Sequence, residues 1–154
     1  GLKAEQLNYK PAENTWSILE CLEHIYLIDK AVLGVIESPS PEYKSENEKA
    51  ELFSEEKLNK LLVSGRSFKV IAPEFVKPKG RFSTLQETVQ NIEYVINKIL
   101  DHIISYPVEQ HTQTYKHPIL GPMTKTDWIH FLISHTQRHI FQIEELKTHS
   151  SFPA

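Results

Sequence analysis

Residues 128–146 read WIHFLISHTQRHIFQIEEL, and the fold follows from where the apolar letters fall in that run. Trp128, Phe131, Leu132, His135, His139, Gln142, Ile143 and Leu146 recur at intervals of three and four, the spacing of side chains that share one face of an α-helix. A helix with such a stripe must bury it against another element. The stripe is apolar at both ends and polar in its middle. His135 and His139 lie one turn apart on the inward face, where an imidazole without a partner is costly. A metal ion would satisfy both rings at once, because neutral imidazole is the commonest metal ligand. Eight histidines can also produce a spacing of four by chance, each ring then bonding to a carbonyl or carboxylate, and both readings stand here. No Glu follows His135, so the His-Glu-x-x-His protease motif is absent; no Cys pair exists, so a structural zinc finger is excluded.

Working outward, Thr124 or Thr126 caps this helix, which is expected to run to about Thr148. Residues 106–123 read as a loop containing Pro118, Gly121 and Pro122. Before it, Leu85, Val89, Ile92, Ile96, Ile99 and Ile103 predict a helix opened by Ser83 and ended by Pro107. Ser17 with Glu20 forms a capping-box pattern ahead of Cys21, Ile25, Ile28, Val32 and Val35. Gly34 weakens that helix slightly, and Ser38, Pro39, Ser40 and Pro41 end it. Residues 2–8 form a short helix or the end of a longer one, closed by Pro11. The least regular part is 42–82. Within it 47–63 look helical, with Ser54 as a cap inside, and Phe68–Phe75 has some strand character opposed by Pro73 and Pro78, so it reads as an extended crossover. The expectation is an all-α, single-domain chain over 1–154: a helical bundle with a long crossover between its second and third helices.

Composition sets bounds on partners. Hydrophobic content of 40% and charged content of 24% are ordinary for a globular domain, and 154 residues suffice for a core. A net charge of -3 with mixed signs offers no basic stripe for nucleic acid. No apolar run reaches spanning length, and no signal-peptide pattern opens the chain, which points to the cytoplasm. Cys21 is the sole cysteine, so no internal disulfide forms. The first residue is Gly and not Met, so native N-terminal residues are expected to be missing.

A third imidazole, His24, lies one turn from Cys21 and Ile28, on or beside the inward stripe of the second helix. Three histidines from two helices would leave a coordination position open for water or substrate, the pattern of a reactive metal site. The alternative is a helix-edge histidine bonded to Glu20 or to solvent.

Three segments carry a resemblance. They are Trp16-Ser17-Ile18-Leu19-Glu20-Cys21-Leu22-Glu23-His24-Ile25, then Pro78-Lys79-Gly80-Arg81-Phe82-Ser83, then His117-Pro118-Ile119-Leu120-Gly121 followed by His135-Thr136-Gln137-Arg138-His139-Ile140-Phe141-Gln142. In order and separation the chain resembles the DinB-like superfamily, including its YfiT-type metal-dependent hydrolases. The resemblance implies a four-helix bundle with a long crossover, often a homodimer. It implies a metal, nickel or zinc, held by His24, His135 and His139. It also implies transfer or isomerisation chemistry on a small electrophile with a low-molecular-weight thiol, or hydrolase-like chemistry. The family has a full helix before the Trp-Ser turn. Here only a short stretch precedes Trp16, so the first helix is shortened or truncated. Ligating histidines donate their second N–H to an acceptor, and Glu20 and Gln142 are candidates. A non-catalytic binding or metal-sensing module, or a metal-free histidine cluster, are the competing readings.

The remaining histidines are set aside. His102 and His130 lie off the inward faces, and His111, His117 and His149 fall in loops or at the terminus, where solvent or local bonds satisfy them. Trp16 and Trp128 read first as core or staple residues, with a pocket wall as the alternative. Lys77, Lys79 and Arg81 form a basic turn, solvated or steering an anion. Cys21 reads as a small buried hydrophobe.

Overall fold

A computed structural model describes residues 1–38, 55–64, 71–106 and 114–154. Their secondary structure is mostly helical, with one small sheet. The elements are α1 (Ala4–Leu7), α2 (Ile18–Glu37), α3 (Glu55–Asn59), which runs on as a π-helical turn (Lys60–Ser64), a 3-10 turn (Glu74–Val76), α4 (Leu85–Ser105), β1 (Thr114–His117), β2 (Gly121–Thr124) and α5 (Lys125–Lys147). Helix α2 packs against both α4 and α5, and α3 lies on α5.

The caps explain where the long helices begin. Ser17 and Glu20 close the expected box on α2: the Glu20 amide donates to Ser17 Oγ at 3.3 Å, and Glu20 Oε2 accepts from the Ser17 amide at 2.8 Å. Thr124 and Asp127 do the same for α5. Helix α4 is capped by Thr84, one residue later than expected, while the Ser83 amide donates to the Glu87 carboxylate. The Lys125 ammonium donates to the Ile36 carbonyl, satisfying a last-turn oxygen of α2 and pinning the start of α5 to it.

The core lies where the three long helices meet. Val32, Ile36, Val95, Ile99, Met123, Trp128, Phe131 and Leu132 form one cluster, and each fully buried aliphatic side chain there contributes roughly 1.5–3 kcal/mol. A second cluster joins Leu7, Ile18 and Leu146 beneath Leu2 and Phe152. On α4 the inward face differs from the expected stripe. Val89 is 37% exposed, while Thr88 and Val95 are buried. Thr88 can be buried because its hydroxyl donates to the Thr84 carbonyl at 2.8 Å. On α2, Ile36 is buried and Val35 only partly so.

One expectation is corrected. The chain is not all-α: residues 114–123, within the stretch read as loop, and the cap residue Thr124 form an antiparallel hairpin with Thr114 opposite Thr124, Tyr115 opposite Met123, Lys116 opposite Pro122 and His117 opposite Gly121. Tyr115 and Met123 point together into the core. Pro122 is tolerated because a two-stranded ribbon leaves outer edges unpaired, and Gly121 supplies the φ of +82° that closes the turn. Residues 71–75 belong to the stretch read as an extended crossover; they form no strand, and the 3-10 turn begins at Glu74. Of the helix expected at 47–63, residues 55–63 are helical; 47–54, with the Ser54 cap, and 68–70 lie outside the described residues.

Candidate metal centre

The first turns of α2 and the middle of α5 bring His24, His135 and His139 together. All three are buried, and one ring nitrogen from each lies within 4.8 Å of the other two. His135 Nε2 is 3.2 Å from His24 Nε2 and 3.2 Å from His139 Nε2. A tetrahedral ion with metal–nitrogen bonds of about 2.0–2.1 Å spaces its nitrogens about 3.3–3.4 Å apart, so these separations match one cation at the centre.

The outer nitrogens fix the tautomers. His24 Nδ1 donates to the Val76 carbonyl at 2.6 Å, and His139 Nδ1 donates to Gln142 Oε1 at 2.9 Å. Both neutral rings therefore turn a bare Nε2 lone pair inward. Among the described residues, His135 Nδ1 has no hydrogen-bond partner. If His135 carries its proton on Nε2, it donates to one neighbour and leaves the other lone pair unmet. If it carries it on Nδ1, three lone pairs face each other. No neutral arrangement pairs all three inward Nε2 atoms, whereas one shared cation would take all three lone pairs. Protons are poorly suited to that task. Burial drives the His135 pKa well below its usual value, reinforced by the charges of His139, His24, Arg138 and His117. Burial also lowers His24, partly offset by the Val76 carbonyl.

Glu20 is not the acceptor for His24. Its carboxylate is taken by the Ser17 amide and by Lys10 at 2.6 Å. The Val76 carbonyl replaces it, and a different acid holds that carbonyl in place. Glu23, 3% exposed, accepts from the Lys79 amide at 2.9 Å, the Gly80 amide at 2.9 Å and the Arg81 amide at 3.0 Å. Gly80, at φ +72°, curls the chain so that successive N–H groups converge on one carboxylate. The 3-10 turn carrying Val76 is thus tied to α2 one residue before His24. Glu23 was not singled out from sequence; its adjacency to His24 was the only signal.

The three rings open onto a cleft of about 1220 Å³. Both tryptophans wall it: Trp16 lies with its ring 4.6 Å from His24 and 6.0 Å from His139, and Trp128 lies near Phe131. Arg138 lines it too, with Nη1 donating to the Leu62 carbonyl at 2.8 Å. Lys77 and Lys79 of the basic turn pair with Glu74 at 2.9 and 3.1 Å.

The other histidines fall as follows. His102 stacks on Tyr106, and exposed His149 bonds to the Tyr9 hydroxyl at 2.7 Å. His130 is half-buried, and His111 lies outside the described residues. His117 is satisfied by local bonds from the hairpin turn, the Ile119 and Leu120 amides, and is buried and cleft-lining, which the sequence did not indicate. Cys21 is buried, and desolvation, with the Glu20 charge, pushes its thiol up to about 12. That thiol is not a nucleophile.

No described helix is long and apolar enough to cross a membrane. The sequence matches the family model of the DinB superfamily over residues 1–143. It is also 27% identical over 147 residues to YuaE, an uncharacterised protein of Bacillus subtilis strain 168, covering 96% of this chain and 86% of that one. No solved structure matches the chain.

Proposed function

The chain belongs to the DinB superfamily, and from that premise we propose a cytoplasmic, divalent-metal-dependent enzyme. In this reading a four-helix bundle with a crossover, paired as a homodimer, holds nickel or zinc on His24, His135 and His139. It transfers a low-molecular-weight thiol to a small electrophile, with hydrolase-like chemistry as the variant. The observation that carries the reading is the meeting of three inward Nε2 lone pairs at one end of an open cleft.

A divalent ion held there would acidify a thiol or water placed beside it into the neutral range. The chain's own residues do the rest. Val76 and Gln142 fix two ring tautomers, so the histidines present lone pairs without rearrangement. Trp16 and Phe131 shield the rings from bulk water and offer apolar surface to a substrate. All three ligands are neutral, so a divalent ion there would have no charge balanced within its ligand set, which favours an anionic fourth ligand such as a thiolate. The open cleft supports catalysis over a sensing or structural role, in which protein groups would close the remaining position.

The test is elemental analysis of untagged protein purified without a metal column, beside His135→Ala and His139→Ala. About one nickel or zinc per chain is expected in the parent, and loss of it in both variants. A metal-free parent after growth with both ions, or full occupancy in both variants, overturns the site. Turnover of thiol and electrophile panels then separates transfer from hydrolysis.

A further inference from the structure

We propose that His117 is a substrate-facing hydrogen-bond donor, an imidazole locked with its proton on Nε2 that takes the carbonyl oxygen of an apolar small molecule in the cleft. This rests on reading the cleft as the substrate's, and not on which ion the other three histidines hold.

The lock is made by the hairpin turn. The Ile119 amide donates to His117 Nδ1 at 3.1 Å, and the Leu120 amide donates to the same atom at 3.0 Å. Two N–H groups converging on one nitrogen require a lone pair there, so the neutral ring carries its hydrogen on Nε2. Gly121 bends the chain to deliver those amides, which is why a histidine sits at the end of β1 and a glycine opposite it. Nε2 finds no hydrogen-bond partner among the described residues, and the ring lines the cleft. Its faces are held by Trp128 at 5.0 Å and Phe131 at 4.8 Å, ring centre to ring centre. Burial also lowers its pKa to about 4, so the donor stays uncharged at neutral pH.

The position gives the role. Phe131 stands between His117 and His135, its ring 5.3 Å from the latter. A ligand reaching the three-histidine cluster over Phe131 passes within reach of this N–H. The class follows from the surroundings. Phe75 and Ile119, 65% and 56% exposed, line the cleft. An uncharged donor flanked by Trp128, Phe131 and Ile119 matches the oxygen of a neutral carbonyl on an apolar molecule.

The experiment has two arms on the metal-loaded protein. Nitrogen-15 NMR of labelled histidines reads the tautomer; an Nε2–H form unchanged between pH 6 and 8 is expected, and an Nδ1–H form overturns the proposal. Binding of acetophenone is then compared with α-methylstyrene, which has the same shape but a methylene for the oxygen. The parent should prefer the ketone by about threefold to tenfold. His117→Asn keeps an acceptor for the two amides but places no N–H at the Nε2 position, so the preference should vanish. A purely structural turn cap would leave it intact, and that result overturns the proposal, as does a parent that binds neither probe or does not discriminate. Metal content is read on the same samples. Ketone preference in a metal-free protein sinks only the preceding reading; a metal-loaded protein without that preference sinks only this one.

Discussion

Helix α2 carries two buried carboxylates six residues apart, in opposite circumstances. Glu23, near the helix start, receives three backbone N–H groups from 79–81. Asp29, in the middle, is 1% exposed, and neither carboxylate oxygen has a hydrogen-bond partner among the described residues. Burial alone raises Asp29 to about 7. One acid is thus a tether that fixes a loop, and the other is a proton store. Both are invisible to a hydropathy reading, which treats either as a break in the stripe. Whether backbone amides arrive decides which role a buried acid takes.

The sharpest way to break this contrast is Glu23→Ala. It strands three amides and releases the turn that carries Val76. The expected loss is about 3–5 kcal/mol in denaturant unfolding, with metal affinity down about 10- to 100-fold. Glu23→Gln, which keeps the oxygen but loses the charge, should fall between. Stability within error of the parent for Glu23→Ala would end the tether reading.

Next in size is Asp29→Asn followed against pH. The folded pKa of about 7 lies above the ordinary value of 3.8, so the native state binds this proton more tightly than the unfolded chain. The parent therefore loses stability as pH rises through that window, and the variant does not. From pH 4 to pH 8 the difference should move in the variant's favour by about 2–4 kcal/mol. Buried His24 and His135, with lowered pKa values, act in the other direction as pH falls through 6.5, but they are common to both proteins and cancel. A pH-independent difference would mean that Asp29 is ionised when folded. Smallest is Ser17→Ala, which removes one half of a cap at the same helix end. About 1 kcal/mol is expected from the denaturation midpoint.

The same contrast explains what the sequence made legible. The long helices, the Ser17–Glu20 and Thr124 caps and the inward pair His135 and His139 are local patterns, fixed by residues three or four apart. The acceptor for His24 lies 52 residues away in Val76, and no local pattern could reveal it. Glu20 lies one helical turn before His24 and is the carboxylate at helical spacing, but it is consumed by its own helix end. On α4, hydropathy favoured Val89 over Thr88, because a threonine that bonds to its preceding turn counts as polar in a sequence and packs as apolar in a core. The hairpin was hidden by Pro118 and Pro122, which argue against strands except where an edge is free.

The state of Cys21 has a practical consequence for assays. Its sulfur is enclosed by α2 and its neighbours and stays protonated in any workable buffer. Cys21 will not compete with an added thiol for reactive electrophiles, so thiol alkylation in such an assay reflects the added thiol. This chain is likewise ready for site-directed labelling, since one cysteine introduced at Phe75 or Ile119 would carry a reporter at the cleft without interference from the resident thiol.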